Sequence, residues 1–363
     1  MSDLLQGCKR LMPGKITGGV KNLVEGAFLA FNSARIREAC HVFVEKFAAD
    51  NVTIGVSAAG ALTPAGIGVS CLIPLMDAGL VDWLVMTGAN LYHDLHFALG
   101  QALYIGNPSL NDRELRDAGV VRIYDILFES GILFEADAYV RDFCRSLGQR
   151  GRIGSAEFHY LLGKKLFEDV SENRNLSVLM TAAGLSIPVF TSSPGDSTLG
   201  MNMASIALEG FDIDFDVVLD VNQTAAVVHH AQKDHGLSGV LMLGGGSPKN
   251  FILQTEPYIR EVLMLDDTGH DFFIQFTDAR PDTGGLSGAT PSEAVSWGKI
   301  NPETLPDCVV CYGDTTVYLP ILTAYTLESG VSRPQKRLYD MLETMVEELS
   351  LDFRGKSAEK HDT

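Results

Sequence analysis

The sequence predicts an α/β fold, with a doubly wound, mostly parallel, Rossmann-like sheet that carries helices on both faces. Short apolar runs rich in β-branched residues alternate with longer amphipathic stretches along the 363 residues. Several of these runs are apolar throughout, which is typical of parallel strands buried on both faces. Glycine occurs 36 times and clusters where the predicted strands end. These three observations together favour an open, twisted sheet over a bundle or a sandwich.

Eight strands and five helices are predicted. The predicted strands are 52–57, 83–87, 177–181, 188–191, 215–221, 239–243, 272–276 and 308–312. The predicted helices are 33–50, 67–79, 204–209, 224–234 and 293–300. In the first helix, Ile36, Cys40 and Phe43 follow the spacing of one helical face, and Ser33 or Asn32 is a suitable N-terminal cap. No linker interrupts the strands, so residues 1–353 are expected to form a single domain, followed by a frayed polar tail at 354–363.

Composition restricts the partners and the location. The chain has 46 acidic and 28 basic residues, a net charge of −18. It therefore lacks the basic surface that nucleic acid requires, although its field would attract cations such as polyamines or metals. There is no run of 18 apolar residues, and Met1-Ser2-Asp3-Leu4-Leu5 does not resemble a secretion signal. We therefore expect no nucleic-acid partner, no membrane association and a cytoplasmic location.

The six cysteines do not form a metal-binding or disulfide pattern. They are scattered along the chain, and one Cys-x-x-Cys pair, Cys308 and Cys311, falls within a predicted strand. Residues three apart on a strand point to opposite faces, so this pair is expected to pack in the core rather than bind zinc. No metal is predicted.

Glycine-rich segments follow three of the predicted strands. They are residues 60–66, Gly88, and the triplet at 244–246. In open α/β sheets, ligands bind beyond the carboxyl ends of the strands, where glycine lets backbone N–H groups approach a phosphate. Turns in this fold also use glycine for positive φ alone, so the pattern leaves both explanations open. Neither Gly-x-Gly-x-x-Gly nor the P-loop pattern occurs, which disfavours an ordinary Rossmann dehydrogenase and a P-loop enzyme.

The most informative segment is Glu-Ala-Val-Ser-Trp-Gly-Lys at residues 293–299. Lys299 lies among apolar and aromatic residues, and loss of water around a lysine lowers its pKa and leaves the amine nucleophilic. Trp297 offers a ring face for an organic cation. The alternative is a surface lysine whose alkyl chain covers apolar side chains.

This segment closely resembles the active-site segment of deoxyhypusine synthases, and the similarity extends over residues 28–327. It includes the loop at 60–66, Thr87-Gly88, residues 196–200, the glycine triplet and Gly313-Asp314. The resemblance implies NAD-dependent aminobutyl transfer, in which spermidine is oxidised and its butyl imine passes to the active-site lysine. The group then moves to an acceptor amine, and the same NADH reduces the product. The resemblance also implies a homotetramer with active sites between subunits.

The resemblance assigns roles by position. It implies that Lys299 carries the covalent imine and that Glu293 and Trp297 shape the polyamine pocket. The NAD-binding residues that it implies are Thr87, Gly88, Asp196, Gly244, Gly245, Gly246, Ala279, Ser287 and Asp314.

Several positions depart from the family pattern. Family acids are replaced by Met201 and Leu286, paired histidines by Asn250-Phe251, a glutamate pair by Tyr92-His93, and an asparagine by Ala61. Each lost carboxylate removes a charge-assisted hydrogen bond worth about 1.5–3 kcal/mol. We therefore expect a changed substrate, a small polyamine with putrescine as acceptor (homospermidine synthase-type). The alternatives are a true deoxyhypusine synthase, which modifies a lysine of a translation factor precursor, and a non-catalytic NAD-binding homologue.

Overall fold

The computed structural model describes residues 11–361, without the side chains of Arg174 and of residues 357–361. Cys8, the N-terminal segment examined for a secretion signal, and the last two residues of the expected tail lie outside this range. The strands in the described range are β1 Val52–Ala58, β2 Trp83–Met86, β3 Tyr104–Ile105, β4 Val120–Ile123, β5 Ile126–Glu129, β6 Gly151–Ile153, β7 Val189–Thr191, β8 Ile213–Phe215, β9 Leu237–Leu243, β10 Phe272–Thr277 and β11 Cys308–Tyr312.

Helices connect these strands. The α-helices are α1 Val20–Ala27, α2 Phe31–Val42, α3 Ile73–Asp77, α4 Gly88–Ala98, α5 Asp112–Asp117, α6 Gly131–Ser146, α7 Ser155–Asp169, α8 Val178–Leu185, α9 Thr198–Leu208, α10 Val217–Ala231, α11 Gly246–Leu253, α12 Thr255–Pro257, α13 Pro291–Ser296, α14 Thr315–Glu328 and α15 Leu342–His361. Single π-helical turns occupy Phe43–Phe47, Gly68–Leu72 and Tyr258–Val262. Short 3₁₀ helices occupy Thr63–Ala65, Ser171–Leu176, Lys233–His235, Pro281–Thr283, Leu286–Gly288, Pro302–Asp307 and Leu338–Met341.

Six strands form a parallel sheet in the order β11–β10–β9–β1–β2–β7. The strand order reverses between β1 and β9, which pair in register from Val52–Leu237 to Ala58–Leu243. This is the topological switch point, beyond which ligands bind in doubly wound sheets. The predicted fold class is confirmed. Two small sheets, β3–β5–β4 and β6–β8, lie outside the central one.

The central sheet is buried on both faces. Every residue of β1, β2 and β10 is buried, which explains why these strands lack polar alternation. Gly55 of β1 has no side chain because Trp83 of the neighbouring strand fills the space; a Cβ there would lie 2.6 Å from the indole ring. Trp83 packs edge-on against Phe190 of β7 at 6.3 Å.

Two predicted strands are wrong. Residues 177–181 begin α8, which Ser177 caps by accepting a hydrogen bond from Met180 N at 3.2 Å. Most of 215–221 belongs to α10, capped by Asp216, which accepts from Leu219 N at 2.9 Å. α8 is largely buried, so it has no polar face to reveal a helical period. The start of α10 instead carries Val217 and Val218, which are exposed and whose β-branched side chains favour a strand in the sequence. Residues 354–361, expected to fray, continue α15.

The described residues contain no metal cluster or membrane span. Cys308 and Cys311 lie on β11, and burial raises the pKa of the Cys308 thiol to about 12. Within residues 11–361, no group of three or more His, Cys, Asp or Glu side chains is arranged to hold a metal ion. No helix among those described is long and apolar enough to cross a bilayer.

A buried ion pair lies at the amino-terminal edge of the sheet, opposite the edge that carries the glycine turns. Asp82, before β2, pairs with Arg333, and both side chains are at most 1% exposed. Arg333 also donates to the carbonyls of Gly79 at 2.6 Å and Ala49 at 3.1 Å. Asp82 in turn accepts from Ile54 N at 2.7 Å.

Replacing Arg333 by leucine should destabilise the protein strongly, because it leaves the Asp82 carboxylate buried and unpaired. We expect a loss of about 3–5 kcal/mol in the free energy of unfolding, measured by urea denaturation. Arg35→Leu, which breaks an exposed pair with Glu38 on α2, is the control and should cost less than about 1 kcal/mol. Equal losses in the two variants would contradict this account.

Candidate active site

The predicted cofactor residues lie at one edge of the central sheet. Because the six strands are parallel, their carboxyl ends meet there. Thr87 and Gly88 follow β2, Asp196 lies in the loop after β7, residues 244–246 follow β9, Ala279 follows β10, and Asp314 follows β11. The structure thus brings residues separated by more than 200 positions to a single edge. Ser287 reaches the same edge from the loop after β10.

The triplet at 244–246 requires glycine at each position. Gly244 has φ +80° and Gly246 has φ +59°, backbone angles that residues other than glycine rarely adopt. Gly245 has no room for a side chain, since a Cβ there would lie 2.4 Å from the Cβ of Ser287. Gly246 N donates to Ser287 Oγ at 2.8 Å. The turn and the loop carrying Ser287 are therefore in direct contact.

A second close contact joins the ends of β2 and β7. A Cβ on Gly88 would lie 2.0 Å from the Cβ of Ser197. Thr87 caps α4 and donates from its hydroxyl to the carbonyl of Gly60 at 2.6 Å. The Asn90 amide donates to that same carbonyl at 3.2 Å and holds the loop after β1 against α4.

These features fit a dinucleotide. Three helices, α4, α11 and α14, begin at this edge, and the positive ends of helix dipoles favour phosphate. Gly246 has open space at the α11 N-terminus, where a Cβ would meet nothing closer than 4.0 Å. Asp314 caps α14 by accepting from Thr316 N at 2.7 Å. The exposed carboxylate of Asp196 is available to a ligand hydroxyl.

The predicted lysine segment forms a short helix and a sharp turn. Thr290 caps α13, which ends at Ser296, earlier than predicted. Gly298 then adopts φ +65°, which reverses the chain. Lys299 N donates to Ala294 O at 2.9 Å, and Lys299 O accepts from His270 N at 3.0 Å. The backbone of Lys299 is thus held on both sides.

Lys299, Trp297 and Glu293 line one pocket of about 320 Å³. The Lys299 ammonium lies 5.8 Å from the centre of the Trp297 ring. Burial lowers the pKa of Lys299, while the carboxylates of Glu293 and Glu261 act against this and raise it. The structure thus brings together the three residues to which the resemblance assigns catalysis and substrate binding. The lysine is half-buried rather than a free surface side chain.

A second lysine lies in the wall of this pocket, and sequence reasoning missed it. Lys249, on α11, is 2% exposed. Its ammonium donates to Ala289 O at 2.8 Å, Gln275 Oε1 at 2.9 Å and Ser287 O at 3.3 Å. Burial lowers its pKa to about 8, aided by the positive charge of Lys299. Its place one turn after the glycine triplet was the available signal.

The positions that depart from the family pattern divide into two groups. Leu286 and Asn250, two positions at which the resemblance implies a charged or titratable residue, line the pocket. Met201, 60% exposed on α9, is not among the residues lining it. Glu261, on the π-turn Tyr258–Val262, supplies the pocket with a carboxylate that the sequence analysis did not identify.

Two further positions that depart from the family pattern, Tyr92 on α4 and Phe251 on α11, pack against other parts of the protein and do not line the lysine pocket. Tyr92 is buried on α4, where its hydroxyl donates to Asp137 at 2.9 Å. Phe251 is half-buried and packs against the core rather than lining the lysine pocket.

Comparison with known proteins extends the similarity beyond the lysine segment. The family model described as deoxyhypusine synthase matches residues 24–326. A "Deoxyhypusine synthase-like protein" of Nostoc sp. is 52% identical over 336 residues, 92% of this chain and 88% of the relative. "Probable deoxyhypusine synthase 2" of Methanosarcina acetivorans is 36% identical over 304 residues, 84% of this chain and 85% of the relative. The resemblance inferred from the sequence is confirmed.

A solved structure supports the fold alone. The crystal structure of a "putative deoxyhypusine synthase" from Entamoeba histolytica aligns with a TM-score of 0.54 at 12% identity. The alignment covers 89% of this chain and 99% of that one.

The amine of Lys299 should become reactive at a lower pH than an ordinary lysine, because burial lowers its pKa. We expect Glu293→Gln to lower the pKa further, since the lost carboxylate favours the charged form. Trace acylation at a series of pH values, mapped to Lys299 by mass spectrometry, measures the midpoint. Glu303→Gln, an exposed residue outside the pocket, is the control. An upward shift of the midpoint in Glu293→Gln would contradict the geometry.

Proposed function

This chain belongs to the deoxyhypusine synthase family, a family of transferases, and we propose that it is an NAD-dependent aminobutyl transferase acting through an imine on Lys299. One observation carries the proposal. The loop at 286–289 contacts the glycine turn that fits a dinucleotide, and it also lines the pocket of a half-buried lysine whose pKa is lowered, Lys299. Lysine amines with suppressed charge are the nucleophiles that form imines with carbonyl-like carbons.

The chemistry requires a hydride acceptor and an amine nucleophile. The glycine turn at 244–246, with Thr87, Asp196 and Asp314, would hold NAD, which would supply the acceptor for a hydride from the spermidine carbon next to the secondary nitrogen and the donor of that hydride to the product imine. The neutral amine of Lys299 attacks the oxidised carbon, the bond from that carbon to diaminopropane breaks, and the departing amine takes up the proton that Lys299 loses. An acceptor amine then attacks the same carbon and releases Lys299. The hydride is recovered, so no further oxidant is needed.

The pocket residues are assigned by charge and shape. Glu293 and Glu261 would bind the ammonium groups of the substrate, and the Trp297 ring would cover its alkyl chain and attract its charge. Lys249 remains protonated below a pH of about 8 and discourages a further ammonium group from entering the inner wall. Leu286 at the rim adds apolar contact. This arrangement favours a small linear polyamine, and we propose spermidine as donor and putrescine as acceptor.

The second candidate is a true deoxyhypusine synthase whose acceptor is a lysine of a translation factor precursor. The Methanosarcina relative bears the name of that activity at 36% identity. We favour the small-amine acceptor because Leu286 and Asn250, in the pocket, replace the family's acid and histidine. A non-catalytic homologue is disfavoured, because nothing in the packing around Gly298 requires a half-buried lysine next to it.

We also propose that the protein is a cytoplasmic homo-oligomer, a tetramer by family resemblance. Leu286 and Trp297 are more than half exposed on the rim of the pocket, and Met201 is similarly exposed on α9. Exposed apolar side chains of this size mark interaction surfaces.

Borohydride trapping tests the covalent step. The protein is incubated with NAD and spermidine, reduced with borohydride and analysed by intact mass and peptide mapping. We expect an aminobutyl adduct on Lys299, no adduct in Lys299→Arg, and homospermidine when putrescine is added without any protein acceptor. Agmatine in place of spermidine is the control amine. An adduct that requires a precursor protein to turn over would favour the second candidate, and full activity of Lys299→Arg would exclude the mechanism.

Substitution of Gly88 tests the nucleotide site. A Cβ at this position would overlap Ser197 and separate the ends of β2 and β7, so Gly88→Ala should weaken NADH binding at least about tenfold, or about 1.4 kcal/mol. Gly195→Ala is the matched control, because its Cβ would meet nothing within 4 Å. Cofactor fluorescence measures the two dissociation constants. If both variants bind NADH like the wild type, the proposed site is wrong.

A further inference from the structure

A buried amide joins the two halves of the candidate site. Gln275 lies on β10 and is 1% exposed, and a buried amide needs hydrogen-bond partners to offset its loss of water. Its Oε1 accepts from Lys249 Nζ at 2.9 Å. Its Nε2 donates to the carbonyl of Gly244 at 2.8 Å and to that of Ser287 at 2.9 Å. The side chain is therefore held at both ends.

The three contacts also fix the orientation of the amide. A lysine ammonium can only donate, and carbonyl oxygens can only accept. A reversed Gln275 amide would place its oxygen against two carbonyls and its NH₂ group against the Lys249 ammonium. One orientation is strongly favoured, so a movement of one partner is transmitted to the others rather than absorbed by rotation of the side chain.

The segments joined in this way serve different ligands in the proposed site. Gly244 belongs to the turn that fits a dinucleotide. Lys249 lies in the wall of the amine pocket, and Ser287 is flanked by pocket residues 286 and 289. The hydrogen bond from Gly246 N to Ser287 Oγ completes a ring of contacts around Gln275. The ring consists of protein atoms alone, so it connects the turn to the pocket wall whether or not a ligand is bound.

We propose that Gln275 is a positioning residue that couples nucleotide binding at residues 244–246 to amine binding beside Lys299. The inference rests on the proposed function, because both ligands must use this site. A nucleotide on the turn restricts Gly244, and through Gln275 it orders the 286–289 wall that the amine contacts. The amine then binds a wall that is already ordered, and the effect is reciprocal.

Calorimetric titration of the full chain with spermidine, with and without saturating NADH, tests this coupling. Reduced cofactor cannot accept a hydride, so the ternary complex does not react. For the wild type we expect NADH to tighten spermidine binding about fivefold or more. Gln275→Glu has nearly the same shape and keeps an acceptor for Lys249, but it loses both donors. In this variant we expect the ratio of dissociation constants to fall well below the wild-type value, towards one, because only the hydrogen bond from Gly246 N to Ser287 Oγ then links the turn to the loop.

The control is Gln223→Met, which removes a buried glutamine on α10 outside the site and should keep the wild-type ratio.

A second readout is the pH dependence of Lys249 acylation. The carboxylate of Gln275→Glu should move its midpoint above the wild-type value of about 8, which a simple loss of packing would not do. If the glutamate variant does not fold, Gln275→Met, which is uncharged and of similar length, replaces it. We expect the same fall in the binding ratio for this variant.

The outcomes separate this inference from the proposed function. If the wild type binds both ligands but NADH leaves spermidine affinity unchanged, or if Gln275→Glu and Gln275→Met retain the wild-type ratio, the coupling role is wrong and the proposed function stands. If the wild type binds neither NADH nor spermidine, the proposed function fails and the coupling fails with it. Loss of the ratio in Gln223→Met as well would also overturn the role of Gln275.

Discussion

The contact between Ser287 and the glycine turn is the constraint on which the rest of the site depends. The Ser287 side chain occupies the space that a Cβ on Gly245 would need, and its hydroxyl accepts from Gly246 N. Any side chain at position 245 would push the 286–289 loop away from the sheet. Because this loop also forms a wall of the lysine pocket, the glycine turn and the pocket share one structural element. That proximity is what group transfer through a recovered hydride requires.

The order of the sheet makes the contact possible. β9 and β10 are parallel neighbours, so the turn after one and the loop after the other leave the sheet side by side. The electrostatics of the pocket suit cationic substrates, since Glu293 and Glu261 face an interior in which burial lowers the pKa of Lys299. The chain's net charge of −18 acts in the same direction. A nucleophilic amine and a binding site for ammonium groups thus coexist because burial acts on the lysine while the carboxylates stay near the opening.

Local signals predicted much of this architecture, and they failed where burial, exposed β-branched residues or contacts between distant segments decided the outcome. The central strands were predictable because each is a short apolar run that ends at glycine or a turn. The segment at 293–299 was identifiable because its chemistry is contiguous in the chain. The helix at 178–185 was mistaken for a strand because its burial removes the polar face that reveals a helical period. The start of the helix at 217–231 was mistaken for one because its exposed Val217 and Val218 are β-branched and favour strands. Lys249, Gln275 and Glu261 were missed because their roles come from contacts between segments; Lys249 and Gln275 are 26 positions apart.

The proposed reaction requires that one site remove a hydride from the donor and return it to the transferred carbon. We would supply spermidine that carries two deuterium atoms on the butyl carbon bonded to the secondary nitrogen, with putrescine as acceptor and an excess of unlabelled NADH in solution. If the hydride stays within one site, the product keeps both deuterium atoms and the cofactor in solution stays unlabelled. Product with one deuterium atom, together with deuterated cofactor in solution, would contradict this requirement.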